Sequence, residues 1–362
     1  MAKENDLRLI DLSTDARTLP TDEMWEAMRR AELGWVSRGE DASVNALLAR
    51  IQELTGKEAA ILLPSCTMAN LIALMTHASR GDQVILEESS HIAWSEGWGI
   101  CSIAGLLPKG VQGAKEKGGR IEADDLILAL EEEKFSHRPK SALLCLENTN
   151  NAYGGTVLTP AYTSDICGVA RERGLAIHLD GARIFNAAAA LKQPVKSLVE
   201  PVDSVAINLN KGLSAPEGAL LCGSQAFVQR ARVIAKALGG DSMHKAGIIA
   251  AAGVIALNNM MEQLSEDHRR ARSFAEAIQG IPGVEVDMSS VQTNIVMADI
   301  SASGLDGRAV LQQLEKRNVA GYLNRAQLIR FVFHRHINDE DVARAAAALA
   351  EVIGFKGKGT GC

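Results

Sequence analysis

The sequence lacks the features that mark secreted, membrane-spanning and nucleic-acid-binding proteins. Its first residues, MAKENDLRLI, contain no apolar segment of a signal peptide. No apolar run approaches the roughly 20 residues that a membrane-spanning helix requires. Acidic residues outnumber basic ones, and the net charge of −6 argues against a surface devoted to nucleic acid or to anionic lipid. These absences predict a soluble, cytoplasmic protein with neither a nucleic-acid nor a membrane partner.

The cysteines show no pairing pattern. The chain of 362 residues has 6 cysteines, without a CxxC pair and without the spacing of a metal site. Most of them lie in apolar runs such as ALLCL and GALLCG. This placement predicts buried free thiols in a reducing compartment, and no bound metal is expected.

What the chain does contain is an alternation of short apolar runs with helical patterns. Short apolar runs predict buried strands, and they lie at 59–64, 83–88, 141–149, 175–180, 203–210 and 218–223. Helical patterns separate several of them, notably at 122–134, 161–173 and 225–238. Strands that alternate with helices imply right-handed crossovers, so we predict an α/β fold with a mostly parallel central sheet.

The length of the chain and a change of pattern near residue 250 predict two domains. Hydrophobic residues make up 47% of the sequence, enough to bury a sizeable core. An Ala-rich helical stretch covers 245–280, and 284–354 then has the pattern strand, helix, strand, strand, helix. We predict that segment 1–50 wraps a large domain at 51–250, and that 251–362 forms a smaller α+β domain.

Small polar residues follow the first predicted strand of the sheet. Ser65, Cys66 and Thr67 come directly after the run AAILLP and open a helix. The N–H groups of a helix N-terminus, together with small hydroxyl residues, are suited to bind a phosphate. The alternative is an ordinary helix cap.

Two charged residues follow later strands of the same series. Asp180 ends the run LAIHLD, and a buried carboxylate there needs a partner, either the protonated ring nitrogen of a cofactor or the neighbouring Arg183. Lys211 follows DSVAINLN, where desolvation frees an amine for Schiff-base chemistry, although a lone lysine is more often solvated. Because ligands bind outside the carboxyl ends of parallel strands, the three groups together predict a site for pyridoxal 5′-phosphate.

Five segments give the chain a resemblance to a known family. They are GKEAAILLPSCTMAN (56–70), LENTNN (146–151), HLDGARIFNA (178–187), NKGLSAPEGALLCG (210–223) and IRFVFHRHI (329–337). The chain resembles the low-specificity threonine aldolases, a β-eliminating-lyase-like group of fold-type I pyridoxal-phosphate enzymes, from about Leu9 to Gly354. The resemblance implies a transferase-like large domain with a smaller C-terminal domain, and a homodimer or homotetramer with shared active sites.

The resemblance implies a cofactor-binding role for each matching residue. Lys211 is the Schiff-base lysine, and Asp180 pairs with the pyridine nitrogen. His91 stacks on the cofactor ring near the substrate hydroxyl. The turn at 65–67 binds the phosphate, and Arg183 lies beside the cofactor and the substrate.

Further residues match positions that contact the substrate. Arg330 matches the arginine that binds the α-carboxylate, because a guanidinium can contact both oxygens at once. Thr14 matches a hydroxyl residue that helps to hold the same carboxylate. His137 has the spacing of a second histidine near the substrate side chain, although its segment, KFSHRPKS, is also typical of a surface loop.

The chain departs from the family pattern at several places, including Asn150 and Asn210, which replace a histidine and a serine. Cys66 replaces the glycine in the middle of the phosphate turn, and the stretch 239–245 lacks the family arginine. Arg38 takes a tyrosine position, where it is predicted either to bind a second acidic group of the substrate or to pair with Glu40 or Asp41. The cofactor residues are therefore kept, while the residues around the substrate have changed.

These features predict a specialised aldolase that cleaves a β-hydroxy-α-amino acid to glycine and an aldehyde. Alternatives with the same cofactor are β-elimination or an aldol transfer to a different aldehyde. Transamination and a non-catalytic, cofactor-binding protein are the remaining alternatives.

Overall fold

The structure, a computed structural model, describes residues 8–131, 138–241 and 243–354. Its internal contacts divide it into two compact units. One unit, which we call the large unit, spans Leu19–Glu262, and the small unit combines residues 8–18 with 263–354. Residues 8–50 are thus divided between the two units after Thr18. No helix in the described ranges is long and apolar enough to span a membrane.

Strands and helices alternate along most of the chain. The strands are β1 (Ile10–Asp11), β2 (Ala59–Leu63), β3 (Gln83–Glu87), β4 (Leu107–Val111), β5 (Ser141–Glu147), β6 (Ala176–Gly181), β7 (Ser204–Asn208), β8 (Ala219–Gly223), β9 (Ile295–Asp299), β10 (Val319–Ala320), β11 (Tyr322–Arg325) and β12 (Leu328–Val332). The α-helices are α1 (Asp22–Arg29), α2 (Ala42–Thr55), α3 (Cys66–His77), α4 (His91–Trp94), α5 (Gly99–Ser102), α6 (Ala123–Glu131), α7 (Pro160–Glu172), α8 (Ile184–Leu191), α9 (Val195–Val199), α10 (Gln225–Ala237), α11 (Gly247–Asn259), α12 (Leu264–Gln279), α13 (Gly307–Glu315) and α14 (Asp339–Gly354). Short 3-10 turns lie at Asp15–Arg17, Val36–Arg38, Lys115–Lys117 and Ser301–Ser303.

The large unit is built on a seven-stranded sheet in the order β2-β8-β7-β6-β5-β3-β4. The pairs β3–β4, β3–β5, β5–β6 and β6–β7 are parallel, which confirms the predicted, mostly parallel sheet. Strand β8 is antiparallel to both β2 and β7, so β2 runs in the same direction as the parallel strands. The carboxyl ends of β2, β3, β5, β6 and β7 therefore lie at one edge of the sheet.

The predicted strands are present, but most end one or two residues earlier than the apolar runs. Strand β7 ends at Asn208, because the side chain of Asn208 accepts the backbone N–H of Asn210 at 2.7 Å. An asparagine that bonds the backbone two residues further on forms a turn, which ends the ladder. This turn brings the chain to Lys211 immediately beyond the sheet.

Strand β4 was not predicted from the sequence. Its residues, LPKGV, are neither apolar nor alternating, and four of the five are at least partly exposed. The strand lies at the outer end of the sheet, where Pro108 is tolerated because one side of an edge strand needs no ladder hydrogen bonds. Because this edge strand is largely exposed, it lacks the apolar run from which the other strands were predicted.

The Ala-rich stretch predicted as one helix forms two. Helix α11 ends at Asn259, whose side-chain amide donates to both carboxylate oxygens of Glu23 at 2.8 and 2.9 Å. Asparagine side chains compete for hydrogen bonds and favour helix ends over helix interiors. Helix α12 begins at Leu264, in the small unit.

The small unit has the predicted α+β composition. Strands β11, β12 and β9 form an antiparallel sheet, and β1 pairs in parallel with the two-residue strand β10. Its core contains Phe274 with ring centroids 5.0 Å from Phe331 and 5.3 Å from Phe333. The order strand, helix, strand, strand, helix agrees with the sequence prediction once β10 is added.

Candidate active site

The helix that follows β2 begins at the carboxyl edge of the sheet. Ser65 is the N-cap of α3, and its hydroxyl oxygen accepts the backbone N–H of Met68 at 3.2 Å. Cys66 and Thr67 occupy the first turn, where backbone N–H groups have no acceptor within the helix. The helix dipole favours an anion at the same place. Ser65 thus caps the helix through Met68, and this cap leaves the N–H groups of Cys66 and Thr67 without an acceptor inside the helix.

Asp180 lies at the end of β6 and is only 2% exposed. One carboxylate oxygen accepts the side-chain amide of Asn70 at 3.0 Å, and the other accepts the backbone N–H of Ala182 at 3.0 Å. The Cys66 thiol sulfur lies 4.0 Å from the second oxygen. These contacts hold a buried carboxylate in one orientation at the sheet edge.

Arg183 is buried at the N-cap of α8, three residues after Asp180. Its guanidinium donates to the side-chain oxygen of Asn151 at 3.3 Å. The structure thus places this arginine beside the loop that follows β5, at the same edge of the sheet.

Lys211 is half-buried, three residues after the end of β7. Its backbone oxygen accepts the N–H of Ser214 at 2.9 Å, and Ser214 has a φ of 63°, so the lysine lies in a tight turn. Burial and the charge of Asp180 raise the pKa of the Cys66 thiol, and the Lys211 ammonium opposes this rise. The lysine amine is therefore within electrostatic range of the first turn of α3.

His91 begins α4, just beyond the end of β3. Its ring atom Nδ1 lies 2.9 Å from the carboxylate of Glu96, and its backbone N–H donates to Glu147 at 2.7 Å. Burial alone would lower the pKa of His91, but the hydrogen bond to Glu96 and two further carboxylates outweigh it and raise the pKa. Both the position and the ring orientation of His91 are therefore fixed by carboxylates.

Glu147 is a buried carboxyl group at the end of β5, directly opposite Asp180 in the sheet. Its second oxygen accepts the backbone N–H of Asn151 at 2.9 Å. Burial, followed by the charge of Asp180, raises the pKa of Glu147 to about 7. Burial also raises the pKa of Glu96, against the hydrogen bonds from His91 and Asn70.

Asn70, Glu96 and Glu147 are site residues that were not predicted from the sequence. Each nevertheless follows a signal that the sequence contains. Asn70 lies one helical turn after Cys66 and ends the segment 56–70, and Glu147 lies within the segment LENTNN. Glu96 follows His91 by five residues in a short loop, a spacing that predicts no contact by itself.

Donor atoms of His91, Glu96 and Asp180 lie within 4.8 Å of one another, which is compatible with a metal site. The Asn70 amide nitrogen, however, lies 2.8 Å from Glu96 and 3.0 Å from Asp180. A neutral amide thus already occupies the position that a cation would need in order to bridge the two carboxylates.

Two predicted substrate-binding residues lie in the small unit. The Arg330 guanidinium carbon is 4.7 Å from the centroid of the Tyr322 ring, and Nη2 donates to the backbone oxygen of Ser13 at 3.2 Å. Thr14 caps the following 3-10 turn, where its hydroxyl oxygen accepts the N–H of Ala16 at 3.2 Å. The structure therefore brings Arg330 next to the segment that contains Thr14.

In the loop at 34–41, Arg38 lies over an aromatic ring, and Asp41, one of its two predicted partners, binds backbone N–H groups. The Arg38 guanidinium carbon is 4.2 Å from the centroid of the Trp35 ring. Asp41 is fully buried as the N-cap of α2, where its two oxygens accept the N–H groups of Gly34 at 3.0 Å and Val44 at 2.9 Å. The carboxylate of Asp41 thus shapes the loop.

Two remaining predictions fall on residues that the structure does not describe. His137 lies outside the described ranges, and so does Ser242 within the stretch 239–245. The described part of that stretch contains Asp241, which pairs with Arg232 at 3.2 Å.

A mostly parallel sheet whose carboxyl edge carries a helix N-terminus, a buried aspartate and a lysine is the architecture of a fold-type I pyridoxal-phosphate enzyme. The structure of Leishmania major threonine aldolase matches it with a TM-score of 0.80 at 19% identity, covering 95% of this chain and 99% of that one. A structure of SPT that contains PLP matches with a TM-score of 0.72 at 16% identity, covering 96% and 88%.

The relatives in sequence are more specific than the fold. The family model described as beta-eliminating lyase matches residues 11–302. Low-specificity L-threonine aldolase 1 of Arabidopsis thaliana is 38% identical over 339 residues, which cover 93% of this chain and 94% of that protein. The chain belongs to the beta-eliminating lyase family, in the branch that contains the low-specificity threonine aldolases.

Proposed function

We propose that the protein cleaves a β-hydroxy-α-amino acid to glycine and an aldehyde by a retro-aldol reaction, with pyridoxal 5′-phosphate as its cofactor. The observation that carries the proposal is the buried Asp180 carboxylate, at the same sheet edge as Lys211 and the first turn of α3. The 38% identity to a threonine aldolase over nearly the whole chain supports the choice of reaction.

The residues present fit this cofactor. The first turn of α3 offers backbone amides to a phosphate, with Thr67 exposed beside them. Asp180 is only 2% exposed, and burying a carboxylate costs free energy unless a positive group lies beside it. The protonated ring nitrogen of the cofactor would be that group. Lys211 would supply the amine for the aldehyde, and Arg183 would lie beside the cofactor.

When bound, pyridoxal phosphate supplies an electron sink for the charge that develops at the α-carbon of the substrate. The remaining tasks belong to the protein. We infer that the Glu96 carboxylate holds the proton of His91 on Nδ1, which leaves Nε2 as the acceptor. His91 would then take the proton of the substrate hydroxyl at Nε2, directly or through one water.

The family resemblance supports roles for residues whose contacts with substrate are untested. We infer that Arg330 and Thr14 bind the α-carboxylate and that His137 contributes near the substrate side chain. Arg38 is proposed to select the side chain beyond the β-carbon, as it stands where the family has tyrosine. A homodimer or homotetramer is also proposed, and the molar mass in solution tests it.

The first experiment is a substrate panel. We expect the purified protein, supplied with pyridoxal phosphate, to release glycine and an aldehyde in equal amounts from at least one β-hydroxy-α-amino acid. Glycine is measured by amino-acid chromatography and the aldehyde by a coupled reductase. Release of ammonia and a keto acid would instead support β-elimination, and lost cofactor absorbance without glycine would support transamination.

A second expectation concerns the pH dependence of the reaction. The hydrogen bond to Glu96, together with the Glu96 charge, raises the pKa of His91, so Glu96→Gln should lower that pKa. A base must be unprotonated, and activity is lost below its pKa. We therefore expect the acid limb of the kcat/KM profile to move down by about one pH unit, while the plateau falls about tenfold because the ring is less well oriented.

The control for this change is Glu88→Gln. Glu88 is exposed and lies just before α4. The substitution therefore removes one carboxylate of the same segment and leaves the hydrogen bond between Glu96 and the His91 ring in place. An acid limb that moves equally in both variants, or in neither, would exclude a direct role for Glu96 in setting the protonation of His91.

A further inference from the structure

Asn70 is a fully buried amide in α3 that contacts two carboxylates of the site. Its side-chain nitrogen lies 2.8 Å from Glu96 Oε1 and 3.0 Å from Asp180 Oδ2. Because ionised carboxylate oxygens only accept hydrogen bonds, the atom that faces both of them must be the NH₂ group. One side chain therefore supplies a donor to each carboxylate.

A chain of neutral groups on the other side fixes the orientation of this amide. His178 Nε2 lies 3.1 Å from Asn70 Oδ1, and burial lowers the pKa of His178 to about 3, so the ring is neutral. The carbonyl can only accept, so the single ring proton of His178 must be on Nε2. His178 Nδ1 then accepts the hydroxyl of Ser204 at 2.8 Å.

The chain continues to the far end of α3. The Ser204 hydroxyl oxygen lies 2.7 Å from Nε2 of His77, whose pKa burial lowers to about 4. His77 is therefore neutral as well and donates to Ser204. Each hydrogen bond from His77 to Asn70 thus has one possible direction, and turning the Asn70 amide over would place an oxygen against two carboxylates.

We propose that Asn70 is a positioning residue of the cofactor site, whose amide holds the carboxylates of Glu96 and Asp180 as hydrogen-bond acceptors in fixed places. Through Glu96 it orients His91, and through Asp180 it orients the group offered to the cofactor ring. The effect on the cofactor rests on the proposed function, whereas the effect on the two carboxylates does not.

The geometry explains why one amide affects both groups. Glu96 Oε1 receives both the Asn70 amide and His91 Nδ1. Loss of the amide leaves His91 as the donor to that oxygen among the described residues, and the carboxylate is then freer to rotate. Asp180 keeps the backbone N–H of Ala182 on one oxygen and loses the donor on the other. A buried carboxylate that loses a donor is destabilised in its charged form.

Several titratable groups face the amide or the two carboxylates. Glu96 and His91 come from the segment after β3, Glu147 from β5, Asp180 and His178 from β6, and Cys66 from α3, with Lys211 near Cys66. Removing a donor shared by two carboxylates therefore favours proton uptake by the folded protein. The unfolding free energy of an Asn70 variant, compared with that of the parent, should then fall as pH rises from the ordinary carboxyl range towards 8.

The experiment compares Asn70→Ala with Asn148→Ala. Asn148 is a matched control because it is also buried at the sheet edge. Among the described residues, its side-chain amide exchanges hydrogen bonds only with the backbone of Leu158, at 3.0 and 3.2 Å. Melting temperatures of the cofactor-free proteins are measured from pH 5 to pH 8. The dissociation constant of pyridoxal phosphate is measured over the same range by visible absorbance.

For Asn70→Ala we expect a loss of melting temperature that is at least about 2 °C larger at pH 8 than at pH 5. We also expect the dissociation constant of pyridoxal phosphate at pH 8 to rise about tenfold or more. For Asn148→Ala the loss of melting temperature should be the same at each pH. Equal, pH-independent losses in both variants would overturn the proposal.

If Asn70→Ala does not fold, Asn70→Ser replaces it. A hydroxyl can donate to one carboxylate, so the pH-dependent loss should be smaller but of the same sign, and a flat profile would count against the proposal. The cofactor-free comparison decides the role of Asn70 even if the substrate panel yields no glycine. In that case the aldolase assignment is wrong, and the pH dependence of the melting temperature still tests the positioning role of Asn70.

Discussion

Lys211→Ala is expected to abolish the cleavage reaction and the visible absorbance band of the bound cofactor. The lysine lies in the turn after β7, at the edge where Asp180 and α3 are also found. Its amine is proposed as the covalent attachment of the aldehyde, so no neighbouring group can replace it. We expect kcat to fall roughly 10³-fold or more, since the loss of a group that forms covalent bonds exceeds that of a single hydrogen bond.

The matched variant is Lys211→Arg, which keeps a positive charge but offers no amine for the reaction. If the lysine acted only through its charge, arginine would restore most of the activity. We expect both variants to be inactive, and a small primary amine added to Lys211→Ala to recover part of the rate. Activity within tenfold of the parent in Lys211→Ala, with the absorbance band retained, would overturn the cofactor assignment.

The sheet could be predicted from the sequence because its central strands are buried on both faces. Strand β5 has the pattern that such burial produces, an almost unbroken run of buried apolar residues. The edge strand β4 carries no such pattern, and the reversed direction of β8 leaves no trace in its composition. Hydrophobic periodicity indicates which residues are buried. It therefore cannot predict an exposed edge strand such as β4 or the direction of a strand such as β8.

The candidate site was predictable where a residue ends a strand and unpredictable where a contact spans the fold. Asp180 and Lys211 stand at strand ends, and parallel strands bring such residues to one edge. The contact between Asn70 and Glu96 joins α3 to the loop after α4 across 26 residues. Only the packing of α3 against the sheet brings these two side chains together, and no local pattern in the sequence encodes it.

A second large effect is expected in the small unit, at Asp267. This residue of α12 is 1% exposed, and one carboxyl oxygen has no hydrogen-bond partner among the described residues. The other oxygen accepts the amide of Gln263 at 3.4 Å. Burial raises the pKa of Asp267 from 3.8 to about 7, against the opposing effects of Gln263 and Arg270.

The sign of the effect follows from which state holds the proton. Between pH 3.8 and about 7 the folded protein keeps Asp267 protonated, while the unfolded chain releases the proton. The unfolding free energy therefore falls as pH rises through that window, and the loss is complete above pH 7. A shift of about three pH units corresponds to at most about 4 kcal/mol, at 1.36 kcal/mol for each unit.

Asp267→Asn replaces the group by an uncharged side chain of nearly the same shape. At pH 4 both proteins carry a neutral group, so their unfolding free energies should agree within about 1 kcal/mol. At pH 8 only the parent carries a buried charge, and the variant should be more stable by roughly 2–4 kcal/mol.

Urea unfolding at several pH values measures this difference, and subtraction cancels the other titrating groups because they are common to both proteins. Glu285→Gln is the control, since Glu285 is an exposed carboxyl of the same unit and its removal should leave the pH profile unchanged. A difference between Asp267→Asn and the parent that stays constant from pH 4 to pH 8 would show that the aspartate is charged throughout. Burial would then not control the protonation of Asp267.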